Sequence, residues 1–204
     1  MSGPEARAYP RTVHAGGDEV VLRAMEPGDE AAVLAFARDL PTHDLLFLPR
    51  DITQPKVIEA WIAENARGTL TTLLAVRGDA VVGCATIVRD PLSWSPHVGE
   101  LRVVVARAAR GRGLGRILTE DASVLAIGLG IEKIVAHMTA DQAGAIEVFE
   151  TMGYRAEALL RDHVRDRDGR KHDLVILSHD VAAFRARMAA YGMGDALAKG
   201  DDRG

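Results

Sequence analysis

The stretch Leu101-Arg102-Val103-Val104-Val105-Ala106-Arg107-Ala108-Ala109-Arg110-Gly111-Arg112-Gly113-Leu114-Gly115-Arg116 reads as a strand that passes through a glycine-rich turn into a helix. From Gly99 to Ala106 the side chains alternate, with Leu101, Val103 and Val105 on one face and Glu100, Arg102 and Val104 on the other. The helix is expected from Gly113 to about Leu129, with Gly130 ending it. Glycines at 111, 113 and 115 let backbone N–H groups approach a ligand without a Cβ in the way. A helix N-terminus adds unpaired donors and a partial positive charge. Ala106 to Arg116 also carries Arg107, Arg110, Arg112 and Arg116 and no acidic residue. The segment therefore reads as an anion site suited to phosphates. The plainer alternative is a glycine-rich connection with solvated arginines.

Two more specific phosphate patterns do not fit. A P-loop ends in Gly-Lys followed by Ser or Thr, whereas this turn ends Gly115-Arg116-Ile117. A dinucleotide fingerprint spaces its glycines as G-x-G-x-x-G. Here the third glycine comes one residue early, and Glu132 falls at the start of a strand rather than its end.

Outward from the turn, the chain reads as alternating strands and helices. Val20 to Ala24 is a first strand, and Pro27-Gly28-Asp29 opens a helix from Glu30 to about Asp39. An irregular link, His43 to Asp51, leads to a second helix from about Gln54 to Ala66, with Val57, Ile58, Trp61 and Ile62 on one face. Leu70 to Val76 and Ala80 to Val88 form a hairpin around Arg77-Gly78-Asp79. After the glycine turn and its helix come a strand at Ile131 to Met138 and a helix at Gln142 to Met152. Two strands follow, at Arg155 to Arg165 and His172 to Ser178. The order is β-α-α-β-β-β-α-β-α-β-β-α, with a last helix at Val181 to Tyr191. Hairpins mixed with a crossover helix imply an α/β class. Residues 1–18 are expected as a flexible arm, 19–192 as one domain and 193–204 as a flexible tail.

Composition excludes several functions. Acidic residues outnumber basic ones, 29 to 25, so no global basic footprint for nucleic acid exists. Aromatics at 4% are too few for base-stacking platforms. No apolar run is long enough for a membrane span, and the N-terminus lacks a signal-peptide core. One cysteine, Cys84, permits no internal disulfide. These features lead to an expectation of a cytoplasmic protein with no nucleic-acid or membrane partner.

The glycine turn resembles the GNAT N-acetyltransferase superfamily, whose motif is Gln/Arg-x-x-Gly-x-Gly/Ala between a strand and a helix. Arg110, Gly113 and Gly115 match it position for position. The resemblance extends over about Val20 to Asp180. A looser downstream pattern places Gln142, Ala145, Phe149, Gly153 and Tyr154 at family positions. The resemblance implies a mixed, mostly antiparallel central sheet flanked by helices, with splayed central strands. It implies acetyl-CoA as co-substrate; the scattered histidines separately lead to an expectation of no metal site. Pyrophosphate would rest on the backbone of Gly111, Arg112, Gly113, Leu114, Gly115 and Arg116, with Arg110 and Gln142 at the same site. Pantetheine would pair along Val103, Val104 and Val105 like an added strand. A backbone N–H near Val103 or Val104 would polarise the thioester carbonyl. Glu100 would be the base that frees the attacking amine, the alternative being a solvated strand residue. One position departs from the pattern: Phe149 stands where the family often has a tyrosine general acid. Tyr154 is then expected to pack as the usual phenylalanine does, leaving solvent to protonate the thiolate.

Other residues admit two readings each. Cys84 reads as a buried, inert thiol rather than a nucleophile. His137, beside the expected cleft, reads as a structural histidine or as an acid–base group. The seven histidines show no close metal spacing in sequence. Arg165 to Arg170 reads as a solvated hairpin turn. In the family that hairpin and the link carrying His43, Asp44, Phe47 and Arg50 border the acceptor. The leading expectation is acetyl transfer to a primary amine of a small molecule or amino acid. Alternatives are a protein N-terminal or lysine acetyltransferase, a non-catalytic acyl-CoA-binding module, and a plain nucleotide-binding domain. Phe184, Met188 and Tyr191 on the last helix are expected to cover a sheet edge, in cis or across a homodimer.

Overall fold

The computed structural model describes residues 7–181. In chain order these form β1 (Arg11–Ala15), β2 (Asp18–Ala24), α1 (Glu30–Asp39), α2 (Pro55–Ala66), β3 (Leu70–Arg77), β4 (Ala80–Val88), β5 (Val98–Val105), α3 (Leu114–Gly128), β6 (Lys133–Thr139), α4 (Ala143–Thr151), β7 (Arg155–Arg165) and β8 (Lys171–Asp180). The strands make one eight-stranded sheet in the order β1-β2-β3-β4-β5-β6-β8-β7. Every neighbouring pair is antiparallel except β5 and β6, which α3 connects by a crossover.

Two apolar layers cover the sheet. On one face α3 and α4 bury Leu114, Leu118 and Phe149 against Ala85, Ile87, Leu101 and Leu177. On the other face α1 and α2 bury Phe36, Ile58 and Ile62 against Leu74, Cys84 and Val104. The alternation read from β5 is the cause, since Leu101 joins the first layer and Val104 the second. Gly83 on β4 lets α3 sit close. A Cβ there would meet Leu118 Cδ1 at 3.0 Å and the Val104 carbonyl at 3.2 Å.

The central strands part, as expected. β5 pairs with β6 only at Val98, Gly99 and Glu100, opposite Lys133, Ile134 and Val135. β5 continues beside β4 as far as Val105, with no register shift. β6 continues beside β8 as far as Thr139. Residues 101–105 therefore lose their β6 neighbour and leave backbone polar groups facing a fork.

One expectation needs correction. The stretch expected as a flexible arm contributes β1, which pairs with β2 from Arg11↔Leu22 to Ala15↔Asp18. It is fastened from far along the chain. The Asp121 carboxylate on α3 is fully buried and accepts bonds from Arg7, Tyr9 and Arg11. Short strands with a distant anchor give little local signal. Apart from Val181, the expected last helix and tail lie outside the described residues. Among the described residues, no helix is long and apolar enough to cross a membrane.

Candidate active site

The fork between β5 and β6 opens into a cavity of about 700 Å³ that runs to the start of α3. Its walls bring together Val103, Val104, Val105, Arg110, Gly111, Gly113, Leu114, Gly115, Arg116 and Gln142 from the expected set. Arg112 and Glu100 are not among its lining residues.

The glycine turn has the geometry of an anion cradle. Gly111 and Gly113 have φ of 69° and 82°, left-handed values that favour glycine. Gly113 is the residue before α3, and no side chain caps the helix there. The first helical amide to find a carbonyl is Ile117, on Gly113 at 3.1 Å. The amides of 114–116 thus point out of the helix without intrahelical partners.

Three of the four arginines around this cradle, Arg110, Arg112 and Arg116, are already paired. Arg110 donates to Asp44 at 2.6 Å and to the Val105 carbonyl at 3.1 Å, tying the turn to the link between α1 and α2. Arg116 donates to Glu120 one helical turn on. Arg112 turns away to Asp18 at 2.7 Å and lies over Gly16. The attraction for an anion therefore rests on backbone amides and the helix end more than on free guanidinium groups.

At the fork's apex sits a charged corner. Glu100 accepts two bonds from Arg102, both 2.8 Å, and its Oε1 lies 3.4 Å from His137 Nδ1. Alternation had already put Glu100 and Arg102 on one face, though the sequence reading did not pair them. Burial raises the Glu100 carboxyl pKa, but the His137 and Arg102 contacts outweigh it and bring it down to about 2. A carboxylate of such low proton affinity is a weak base for an ammonium. His137, by contrast, does line the cavity.

Phe149 is buried and lines the cavity, with its ring edge-on to Tyr154 at 4.8 Å between centroids. Tyr154 is 1% exposed and is not a lining residue, and burial pushes its phenol up to about 12. The cavity wall thus offers no tyrosine hydroxyl among the described residues. Gln142 accepts from the Thr139 amide at 3.3 Å, which shapes the turn into α4. Cys84 is 2% exposed, and burial pushes its thiol up to about 12, so it is no nucleophile.

Sequence spacing missed a cluster at the cavity mouth. His43 from the link between α1 and α2 meets Asp141 at 3.1 Å, and its ring lies 5.1 Å from that of His172. His172 in turn meets Asp166 at 2.8 Å. One ligand atom each from His43, Asp141 and His172 lies within 4.8 Å of the others. Each imidazole already has a carboxylate partner. The Asp141 carboxyl is held below its ordinary range, because Thr139 and His43 outweigh the opposing effect of burial. Residues 43, 141 and 172 are too far apart in sequence for any spacing rule to have joined them. A second cavity of about 230 Å³ lies on the α1–α2 side, lined by Arg50, Trp61, Glu64 and Arg102 among apolar residues. It shares Val104 with the first.

A family model described as the acetyltransferase (GNAT) family matches residues 35–154, which contain the fork, the cradle and α4. The chain belongs to this family. A Bacillus subtilis (strain 168) relative, YwnH, named as a phosphinothricin acetyltransferase, is 30% identical over 83 residues. That match covers 41% of this GNAT chain and 50% of YwnH, so it spans half of that relative's length. Among solved structures, yncA from Salmonella typhimurium with its cofactor acetyl-CoA aligns at a TM-score of 0.68 and 20% identity, over 79% of this chain and 94% of that one. Spermidine N-acetyltransferase from Vibrio cholerae, in complex with CoA and spermine, aligns at 0.65 and 16%, over 78% and 94%. At these identities the two structures establish a shared GNAT fold.

Proposed function

We propose that this protein transfers an acetyl group from acetyl-CoA to a primary amine of a small molecule or amino acid. The observation that carries the reading is the parted pair β5 and β6 running straight into the uncapped turn at 111–116. Pyrophosphate is held on the open amides of that turn, with Arg110 and Gln142 shaping its walls. Pantetheine lies along Val103, Val104 and Val105, taking the hydrogen bonds that β6 gives up. The thioester then sits in the fork, where a β5 amide polarises its carbonyl.

The acceptor enters from the α1–α2 side. The cavity there suits a small amphipathic amine, because apolar walls are interrupted by Arg50, Glu64 and Arg102. The free amine attacks the thioester carbon, and CoA leaves as thiolate. Proton removal falls to the corner where Glu100 and His137 meet. With Phe149 in the wall, the departing thiolate takes its proton from that corner or from water.

A binding-only module is the second reading, favoured by the missing hydroxyl at Phe149. Titration with acetyl-CoA, following thermal stability against CoA, ATP and NAD, tests both. A ligand that binds only the folded state stabilises it by ~2.7 kcal/mol at a hundredfold excess over its Kd. A shift with CoA species and not with ATP or NAD is expected. Thiol release with phosphinothricin or spermidine then separates enzyme from binding module. No shift with any CoA species overturns both readings.

A further inference from the structure

The acetyltransferase reading gives proton removal to the corner of Glu100 and His137 without dividing the work between them. The β5·β6 ladder ends at Glu100↔Val135, and His137 is the next β6 residue on that face. It stands where the strands begin to part, and its ring lines the cavity. Glu100 stands behind it, outside the lining, with both oxygens engaged by Arg102 and one facing His137 Nδ1 at 3.4 Å.

We propose that His137 takes the proton from the acceptor amine, and that Glu100, clamped by Arg102, is a positioning residue that acts through it. The inference rests on the acetyltransferase reading above. Glu100 accepts from Nδ1–H, which fixes the ring and leaves Nε2 with its lone pair for the cavity. This is the carboxylate–imidazole arrangement in which the acid group orients the base and is not itself protonated. The low proton affinity of Glu100 agrees with that division of labour.

The groups around the ring come from three strands. β5 presents Glu100 and Arg102, and β8 presents uncharged Ile176 opposite. Along β6, Thr139 leads to His43, and beyond it to Asp141 and His172. The Glu100 carboxylate faces the ring directly, with Oε1 3.4 Å from Nδ1.

The step balances without another reactant. His137 Nε2 accepts one ammonium proton, and the amine lone pair forms the C–N bond as the carbonyl electrons move to oxygen. Collapse breaks the C–S bond, and the thiolate takes the proton from imidazolium. The amide nitrogen sheds one further proton to water.

Two measurements test this. In the first, His137→Gln and Glu100→Gln are compared with wild type in thiol release, using acetyl-CoA with phosphinothricin or spermidine across pH. His137→Gln is expected to lose about 10²–10⁴-fold in kcat, with an unchanged thermal shift by acetyl-CoA. Glu100→Gln keeps part of the activity, as a residue that positions the base would. Added imidazole restores part of the activity of His137→Gly. Activity of His137→Gln within about threefold of wild type overturns the inference. So does a Glu100→Gln enzyme as inactive as His137→Gln, for then Glu100 is the base.

The second measurement needs no acceptor. Nitrogen-15 NMR of the imidazoles, with His137 assigned from the spectrum of His137→Asn, is expected to show the Nδ1–H tautomer, lost in Glu100→Gln. An Nε2–H tautomer overturns the inference even where wild type is active. Wild-type protein that releases no thiol with any amine overturns the acetyltransferase reading, and this inference with it.

Discussion

Asp121 and Glu100 are both carboxylates drawn out of water, and the molecule holds them in opposite ways. Asp121 is fully buried, and its two oxygens accept four bonds from Arg7, Tyr9 and Arg11. Burial and the Asp121 contact push the Tyr9 phenol upward, so it stays a donor. No capacity is left for a reacting group, and the result is an anchor between the N-terminal segment and α3. Glu100 has one guanidinium partner and an imidazole that opens on the cavity. A saturated carboxylate fixes structure, whereas one that faces a ring on a cavity wall is placed for the role proposed above.

The largest expected effect is at the anchor. Asp121→Ala strands two arginines and a phenol, and breaking such a buried arrangement costs about 3–5 kcal/mol. Urea unfolding reads the loss, while the affinity of the surviving folded protein for acetyl-CoA stays near wild type. A stable Asp121→Ala protein with weakened acetyl-CoA binding breaks the contrast.

Next comes the pH dependence of the Glu100 corner. The Glu100 pKa is depressed from 4.5 to about 2, so the folded state binds its proton less readily than the unfolded chain does. Its stabilisation is full above the unfolded value and lost as pH falls through the folded one. It is on the order of 3 kcal/mol. The stability gap between wild type and Glu100→Gln should therefore narrow from pH 4.5 down to about 2. A gap that stays constant over this window removes Glu100 from the comparison.

Smaller effects are expected at the cradle. Gly113→Ala meets no clash within 4 Å but must hold φ of 82°. That strain of ~1–2 kcal/mol raises the acetyl-CoA Kd by about tenfold if the loop relaxes on losing its shape. Calorimetry checks it. Least of all, Arg112→Ala removes an exposed pair with Asp18 worth at most ~1 kcal/mol, an effect that fades with salt. Its acetyl-CoA affinity should hardly change, because the guanidinium faces away from the cavity. A large loss there would mean that Arg112 swings back onto the phosphates.

Local pattern carried most of the fold into view. Alternation along β5, glycine stops at 68, 130 and 153, and the turn at Arg77-Gly78-Asp79 all act over a few residues, and the elements follow them. β1 was hidden because its anchor lies more than a hundred residues away in sequence. The cradle was legible for the same reason as β5: strand, turn and helix adjoin in sequence. The direction of Arg112 was not, since it depends on Asp18 arriving from β2. His43 meets His172, and His137 meets Glu100, only through strand order and the fork, which no spacing along one chain encodes.

Cys84 bears on how the proposed acetyl transfer is measured. It is the chain's single cysteine, it lies beneath α1 and α2, and its thiol is pushed up to about 12. A chromogenic thiol reagent added to the folded protein will therefore colour with liberated CoA and leave the polypeptide untouched. The same reagent gains one equivalent of colour when the core opens, so a single cuvette can report both turnover and unfolding.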